Sequence, residues 1–180
     1  MLFPRYLLFV LIILVTGCDD LYPSSDDKRE PVDPSTIGSQ PGQIAPDFDL
    51  SDTENNMVNM FTELNSASGI VLYFTMWCPK CNQDTDDMIA RVIPNFPNVK
   101  FFLIDYISGS ISQAYITQNS YGYDSMTVLV NNIPQDVLSL YEATMGTTVV
   151  IENADSHGIV RMNEDYKDAS RLIETLNALP

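Results

Sequence analysis

The sequence contains few of the side chains that bind metal ions. It has three cysteines and one histidine in 180 residues. A tetrahedral zinc site takes four ligands, and Cys78, Cys81 and His157 would supply only three of them. We therefore expect neither a bound metal nor a cofactor.

Basic residues are also scarce. Nine Lys and Arg stand against 24 Asp and Glu, which gives a formal net charge of −15. If the N-terminal leader is removed together with Arg5, eight basic residues remain and the charge becomes −16. A surface this acidic argues against nucleic acid as a partner, and against binding to anionic lipid by charge alone.

A long apolar run is missing as well. The N-terminal run, from Tyr6 to Val15, is too short for a permanent membrane helix and follows the positive Arg5, as in a secretory signal. It leads into Val15-Thr16-Gly17-Cys18, which resembles the lipobox of bacterial lipoproteins. The resemblance implies cleavage after residue 17 and a diacylglycerol on Cys18. An ordinary signal peptide, or a membrane helix that contains a cysteine, are the alternatives.

The lipid would hold the protein on the outer side of the cell membrane. Asp19 follows the cysteine, which in the enterobacterial sorting rule favours the periplasmic side of the inner membrane. Residues 18–42 are rich in Asp, Ser, Pro and Gly and poor in apolar residues, so we expect a disordered acidic tether. Residues 43–180 have the length of one domain.

Hydrophobic periodicity within residues 43–180 predicts strands that alternate with helices. The predicted strands are Ile44–Leu50, Met57–Met60, Ile70–Thr75, Val99–Ile104, Thr127–Val130, Thr147–Ile151 and Ile159–Met162. One predicted helix begins at Pro79, has an apolar stripe at Cys81, Thr85, Met88, Ile89 and Val92, and ends at Pro94 and Pro97. The other predicted helices cover Ile111–Asn119, Pro134–Tyr141 and Asp168–Leu179. The first two strands form a hairpin, and Gly158 lies in a turn between the last two. We expect an α/β fold with a mixed central sheet, flanking helices and an extra N-terminal hairpin.

The motif Trp77-Cys78-Pro79-Lys80-Cys81 follows directly on the most apolar predicted strand. A strand that runs into a helix at this point puts Cys78 at the helix N-terminus, where unpaired N–H groups favour a thiolate. Pro79 suits the first helical position. Lys80 adds a positive charge nearby. The pattern favours redox chemistry, with a structural disulfide or half of a zinc site as alternatives.

Three blocks of the sequence resemble the membrane-tethered TlpA and ResA-type branch of the extracytoplasmic thioredoxins. They are Gly42–Leu50, Tyr73–Cys81 and Tyr141–Val160. The resemblance implies a thioredoxin-like fold and a thiol–disulfide oxidoreductase without a cofactor. Its substrates would be exported proteins that contain disulfides, and a membrane thiol reductase resembling DsbD or CcdA would supply electrons.

The resemblance also implies roles for single residues. Cys78 would attack a substrate disulfide, and Cys81 would resolve the mixed disulfide. Asp84, three residues after Cys81, matches a glutamate that is credited with handling the proton of the second cysteine in ResA-type relatives. A solvated acid that only complements the helix dipole is the alternative reading of Asp84.

One element of the family pattern is missing from this chain. Relatives carry a cis-proline opposite the cysteines, whereas this chain has Met145-Gly146-Thr147. Gly146 occupies the proline's place, or Thr147 if the register shifts by one residue. We expect a trans peptide bond here, because a cis bond without proline costs about 2.5–4 kcal/mol. Trp77, Gly146 and Thr147 are the predicted substrate-binding residues.

Two other functions are compatible with the sequence. Thr75 precedes Cys78 by three residues, as in the peroxiredoxin motif Pro-x-x-x-Thr-x-x-Cys, but Val71 replaces its proline. A peroxiredoxin-like peroxidase is therefore one alternative. A thioredoxin-fold binding module without efficient catalysis is the other, because the cis-proline is missing.

Overall fold

The computed structural model describes residues 32–131, 136–154 and 157–180. The predicted leader, Cys18, the first part of the tether and Pro134 lie outside these residues. The described strands are β1 (Asp49–Asp52), β2 (Met57–Asn59), β3 (Gly69–Thr75), β4 (Val99–Asp105), β5 (Thr127–Val130), β6 (Thr147–Ala154) and β7 (His157–Asp165). The helices are α1 (Met60–Leu64), α2 (Pro79–Asp87), α3 (Ile111–Tyr121), α4 (Val137–Tyr141) and α5 (Ala169–Asn177).

The seven strands form one mixed sheet in the order β2-β1-β5-β4-β3-β6-β7. The strands β3, β4 and β5 pair in parallel, and all the other pairs are antiparallel. The hairpin of β1 and β2 extends the sheet beside β5. The predicted mixed α/β architecture with its N-terminal hairpin is thereby confirmed.

The interior strand β3 has a covered face on each side of the sheet. All seven of its residues are buried, as an uninterrupted apolar run predicts for a strand with two covered faces. Ile70, Leu72 and Phe74 face a core shared with α1 and α4. Val71 and Tyr73 face a second core shared with α2 and α5. Helices therefore lie on both faces of the sheet.

Helix α2 carries the predicted apolar stripe. Cys81, Thr85, Met88 and Val92 are buried, at spacings that return to the same helix face. After Asp87 the helix continues as a π-helical turn over Met88–Val92 and a 3₁₀ turn over Ile93–Asn95. Pro94 lies in that last turn, where a helix was predicted to end.

Two predictions for the strands at the ends of the domain were wrong. Residues 44–48 lie outside β1, and Ile44 instead forms isolated bridges to Ile37 and Ile159. Gly158 lies within β7, where it pairs with Asn153, and not in a turn. Gly158 suits this strand because a Cβ there would lie 2.6 Å from the side chain of Ile151. The close approach of the neighbouring strand β6, and not turn geometry, accounts for this glycine.

The segment before residue 43 belongs to the domain, although its composition resembles that of a tether. Gly38 N–H donates to Ile44 O (2.9 Å), and Gly42 N–H donates to Val160 O in β7 (2.8 Å). Ser39 is buried, and its carbonyl accepts a bond from the Asn163 amide (3.0 Å). Residues 38–42 are therefore hydrogen-bonded to the domain, while the boundary at residue 43 stays a prediction.

Candidate active site

The cysteine pair lies where β3 runs into α2, as predicted. Cys78 is the N-cap of α2 and has an extended backbone, and Pro79 takes the first helical turn. Cys78 Sγ accepts a hydrogen bond from the Cys81 backbone N–H (3.1 Å). This bond satisfies one of the unpaired N–H groups at the helix start, which is also the group that would stabilise a thiolate.

Cys78 and Cys81 form a disulfide, with their Cα atoms 5.0 Å apart. Cys78 is half-buried, whereas Cys81 is 1% exposed. A partner can therefore reach the first sulfur but not the second. This difference in access is what an attacking thiol and a resolving thiol require.

Trp77 holds the loop between β3 and the disulfide. Its backbone lies in the left-handed region (φ +56°), and its N–H donates to the Thr75 hydroxyl (3.1 Å). Its indole is buried and stacks on Tyr121, with ring centroids 5.9 Å apart and an interplanar angle of 5°. The Tyr121 hydroxyl donates to Trp77 O (3.2 Å). Trp77 thus braces the loop, and its contact with a substrate stays a prediction.

Asp84 is buried beneath the first turn of α2, so the reading of a solvated surface acid is wrong. It is 4% exposed. Its Oδ2 accepts a bond from the Tyr73 hydroxyl (3.0 Å), and its Oδ1 is 2.5 Å from Lys80 Nζ. Burial, followed by the charge of Asp84, raises the pKa of Tyr73 far above its usual value of 10. Tyr73 is therefore a neutral hydrogen-bond donor to Asp84 throughout the physiological range.

A cleft of about 280 Å³ reaches this buried acid from the surface. Its lining residues are Lys80, Gln83, Asp84, Asp87, Tyr166, Lys167 and Asp168. The cleft gives solvent a route to a carboxylate on the same helix face as Cys81, one turn further along.

The loop before β6 faces Cys78 from the other side. Met145 Sδ lies 3.5 Å from Cys78 Sγ. The next residue, Gly146, has φ +83° and precedes β6, in the place assigned to the missing proline. Thr147 is buried, and its hydroxyl accepts a bond from the Thr144 N–H (3.0 Å). The substrate-binding roles of Gly146 and Thr147 stay predictions.

Sequence reasoning missed two residues of this site. Tyr73 was given no role of its own, because a strand that is apolar on both faces gives no sign of which hydroxyl meets a partner. Met145 was named only as a neighbour of Gly146. Its place beside the expected proline was the one available signal that it would lie near the cysteines.

Within the part of the chain that the structure describes, no three His, Cys, Asp or Glu side chains come together as a possible metal site. Over the same residues, no helix has the length and apolar character needed to cross a membrane.

Among known proteins, the chain is similar to solved structures. No protein-family model and no curated protein matches the chain. Solved structures do match it. A Bacteroides thetaiotaomicron protein assigned as a protein disulfide isomerase has a TM-score of 0.63 and 17% identity, and the match covers 81% of this chain and 94% of that one.

Two Mycobacterium tuberculosis structures are also similar. A secreted disulfide oxidoreductase, homologous to DsbE of E. coli, has a TM-score of 0.55 and 18% identity, and the match covers 73% of this chain and 96% of that one. The peroxidoxin BcpB has a TM-score of 0.59 and 17% identity, with 78% and 97% covered. At these identities the similarity concerns the fold. The chain has a thioredoxin-like fold, with a Cys-x-x-Cys disulfide at the start of its α2 helix.

Proposed function

We propose that the protein is a lipid-anchored thiol–disulfide oxidoreductase that reduces disulfides in exported proteins. The observation that carries the proposal is the disulfide at the N-terminus of α2, with Cys78 accessible and Cys81 buried. Similarity to a secreted disulfide oxidoreductase supports both the chemistry and a location outside the cytoplasm.

Disulfide exchange takes place at the sulfur atoms of the two cysteines. In the reduced protein, the Cys78 thiolate attacks a substrate disulfide, forms a mixed disulfide and releases one substrate thiolate. The Cys81 thiolate then attacks Cys78 Sγ and releases the second substrate thiolate, which takes up a proton from solvent. This leaves the Cys78–Cys81 disulfide, which is the form described above. A membrane thiol reductase resembling DsbD or CcdA would return two electrons and two protons.

Asp84 is the proposed proton acceptor for Cys81. Its burial, its place one turn after Cys81 and the cleft that connects it to solvent support this role. Tyr73 and Lys80 act through Asp84 as positioning residues, since each contacts one of its oxygens. Asp84→Asn should slow resolution of the mixed disulfide more than its formation in rapid-mixing kinetics. Equal rates in the variant and the wild type would remove Asp84 from the mechanism.

The anchor is proposed from Val15-Thr16-Gly17-Cys18. Cys18→Ser should abolish incorporation of labelled fatty acid and release the protein from the membrane fraction. A variant that stays fully membrane-bound without label would contradict a lipid anchor.

A trapping experiment tests the exchange reaction. Cys81→Ser, expressed in the native host, should accumulate complexes with exported proteins that reductant dissolves. The control is Cys78→Ser combined with Cys81→Ser, which should trap nothing. Disulfide-linked species that persist in the double variant would exclude Cys78 as the attacking thiol.

Two activity assays separate the proposal from the alternatives. The purified wild-type protein should reduce insulin with a dithiol donor, and should turn over hydrogen peroxide no faster than free thiols do. Rapid peroxide turnover would favour a peroxidase, as in the similar fold of peroxidoxin BcpB. Absence of insulin reduction, together with no trapped partner, would favour a binding module.

A further inference from the structure

Three sulfur atoms from two separate parts of the chain meet at the disulfide. Met145 Sδ lies 3.5 Å from Cys78 Sγ, which is bonded to Cys81 Sγ. A disulfide sulfur carries no proton, so the approach of Met145 is a sulfur–sulfur contact and not a hydrogen bond. The disulfide-exchange mechanism gives the sulfur of Met145 no role.

Met145 is held in place by its neighbour. Gly146 N–H donates to Phe74 O at the end of β3 (2.9 Å), and Gly146 O accepts from Tyr166 N–H (2.8 Å). The backbone is thus fixed on both sides immediately after Met145. Cys78 is fixed by the start of α2. Side chains that converge from fixed elements are what a preformed binding site requires.

We propose that the reduced protein binds one Cu(I) ion through Cys78, Cys81 and Met145. Thiolate and thioether sulfurs are soft ligands, and such ligands select Cu(I). Two sulfurs that each bond one ion at about 2.3 Å, as in metal thiolates, can lie at most about 4.6 Å apart. The separation of 3.5 Å between Met145 Sδ and Cys78 Sγ is within this limit.

Charge and access also favour a monovalent ion at this point. Two thiolates and one Cu(I) leave a single negative charge at the N-terminus of α2, where the helix dipole stabilises it. The Cys81 N–H already donates to Cys78 Sγ (3.1 Å). Met145 is 44% exposed, so an ion can enter from the solvent side although Cys81 is buried. Structural zinc sites take four ligands, and a thioether is not among those that zinc uses.

The redox state controls the site. A dithiol donor must first reduce the disulfide with two electrons and two protons, and is itself oxidised to a disulfide. Cu(I) then displaces the two thiol protons and keeps its oxidation state. The inference goes beyond the proposed function, because it needs only the reduced cysteines and not a substrate. A bound ion would block the attack of Cys78 until copper is removed.

The test is a titration of the reduced full-length protein with Cu(I) in the absence of oxygen. The chromophoric chelator bicinchoninate competes for the ion and reports affinity and stoichiometry. We expect one ion per chain, and a loss of about tenfold or more in affinity for Met145→Leu. Met57→Leu is the matched control, since Met57 is 69% exposed in β2 and far along the sheet order from β6. The oxidised protein and Cys78→Ser with Cys81→Ser should bind no ion.

X-ray absorption gives a second measurement that does not depend on affinity. The wild-type complex should show three sulfur neighbours at copper and Met145→Leu two, while circular dichroism shows both to be folded. The proposal is overturned if Met145→Leu binds Cu(I) as tightly as the wild type, with the same sulfur count. It is equally overturned if the reduced wild type binds no ion. Neither result depends on whether the protein reduces disulfides.

Discussion

At the scale of single residues, Gly146 explains why this chain has no proline opposite its cysteines. Its φ of +83° lies in the left-handed region, which proline cannot adopt because its ring fixes φ near −65°. Its N–H also donates to Phe74 O, and proline has no N–H to donate. The loop is therefore tied to β3 by a backbone hydrogen bond that a proline at residue 146 could not donate.

Substitution of Gly146 tests that explanation. Gly146→Ala should lower the free energy of unfolding by about 1–2 kcal/mol, since an added Cβ meets nothing within 4 Å but the positive φ is strained. Gly146→Pro should lower it further, because the bond to Phe74 is lost as well. Urea unfolding measures both.

Gly109 provides the matched control for this pair of variants. It has φ +71°, and the space that an added Cβ would occupy is equally open. Gly109→Ala should therefore lower the free energy of unfolding by about as much as Gly146→Ala does. Proline in place of that alanine should lower it further at residue 146 than at residue 109. A Gly146→Pro protein as stable as the wild type would show that the loop accepts a proline at this position.

The same scale shows what the sequence could and could not predict about the site. Cys78 and Cys81 followed from a motif, and the helical position of Asp84 from its spacing. The burial of Asp84 could not be predicted, because it depends on Tyr73 reaching across from β3 and on Lys80 covering one oxygen. The contact of Met145 with Cys78 was not predicted, since 67 residues separate the two and only the place of Met145 beside the expected proline pointed to it.

At the scale of elements, Asp87 connects the end of α2 to the start of α5. Its Oδ2 accepts from the Tyr166 hydroxyl (2.8 Å) and from Ala169 N–H (3.1 Å), and its Oδ1 from Arg91 (3.0 Å). Burial raises the pKa of Asp87, but these bonds outweigh burial, so the pKa lies below its usual value of 3.8. The carboxylate thus joins α2 to α5.

The lowered pKa of Asp87 predicts a pH-dependent contribution to stability. A depressed pKa stabilises the fold above the unfolded value, near pH 4, and the stabilisation is lost as pH falls through the folded pKa. Asp87→Asn should therefore cost about 1 kcal/mol at pH 7, a modest figure because solvent screens the partly exposed pair. The cost should shrink towards pH 3. Thermal unfolding of both proteins across this range measures it.

Asp124→Asn is the control for the change in net charge, because Asp124 is exposed. A difference in stability between Asp87→Asn and the wild type that stays constant from pH 7 to pH 3 would show that ionisation of Asp87 does not cause it. So would an equal pH dependence for the Asp124 variant.

Elements were easier to predict in the middle of the sheet than at its edges. The buried run of β3 and the apolar stripe of α2 each carry a clear period, and both were predicted to within a few residues. The β6–β7 hairpin is longer than predicted, since polar residues such as Asn153 and Asn163 extend both strands. Their side chains donate hydrogen bonds to backbone carbonyls outside the sheet. Hydrophobic periodicity cannot predict such bonds.

At the scale of the whole molecule, the extent of the domain depends on contacts that composition does not reveal. Residues 32–42 contain the Pro, Ser and Gly that are typical of a tether. Their backbone nevertheless continues into a segment that bonds to the outer edge of β7. Gly42 N–H donates to Val160 O, Val160 N–H to Gln43 O, and Ala45 N–H to Gly158 O. Since β7 ends the sheet, this segment covers an edge that would otherwise be open to other chains.

Truncation separates the two possible domain boundaries. A chain that begins at residue 43 loses the bonds of Gly42 and Ser39, whereas one that begins at residue 32 keeps them. Each bond contributes about 0.5–1.5 kcal/mol, partly offset by the entropy of the freed residues. We expect Tm to fall by about 3–6 °C for the shorter chain. Its β7 edge keeps the bonds to Gln43 and Ala45 but loses the one to Gly42, so the shorter chain should also aggregate sooner on heating, as light scattering would measure. Identical melting and scattering of the two chains would show that residues 32–42 belong to the tether. It would also mean that another part of the domain protects the β7 edge.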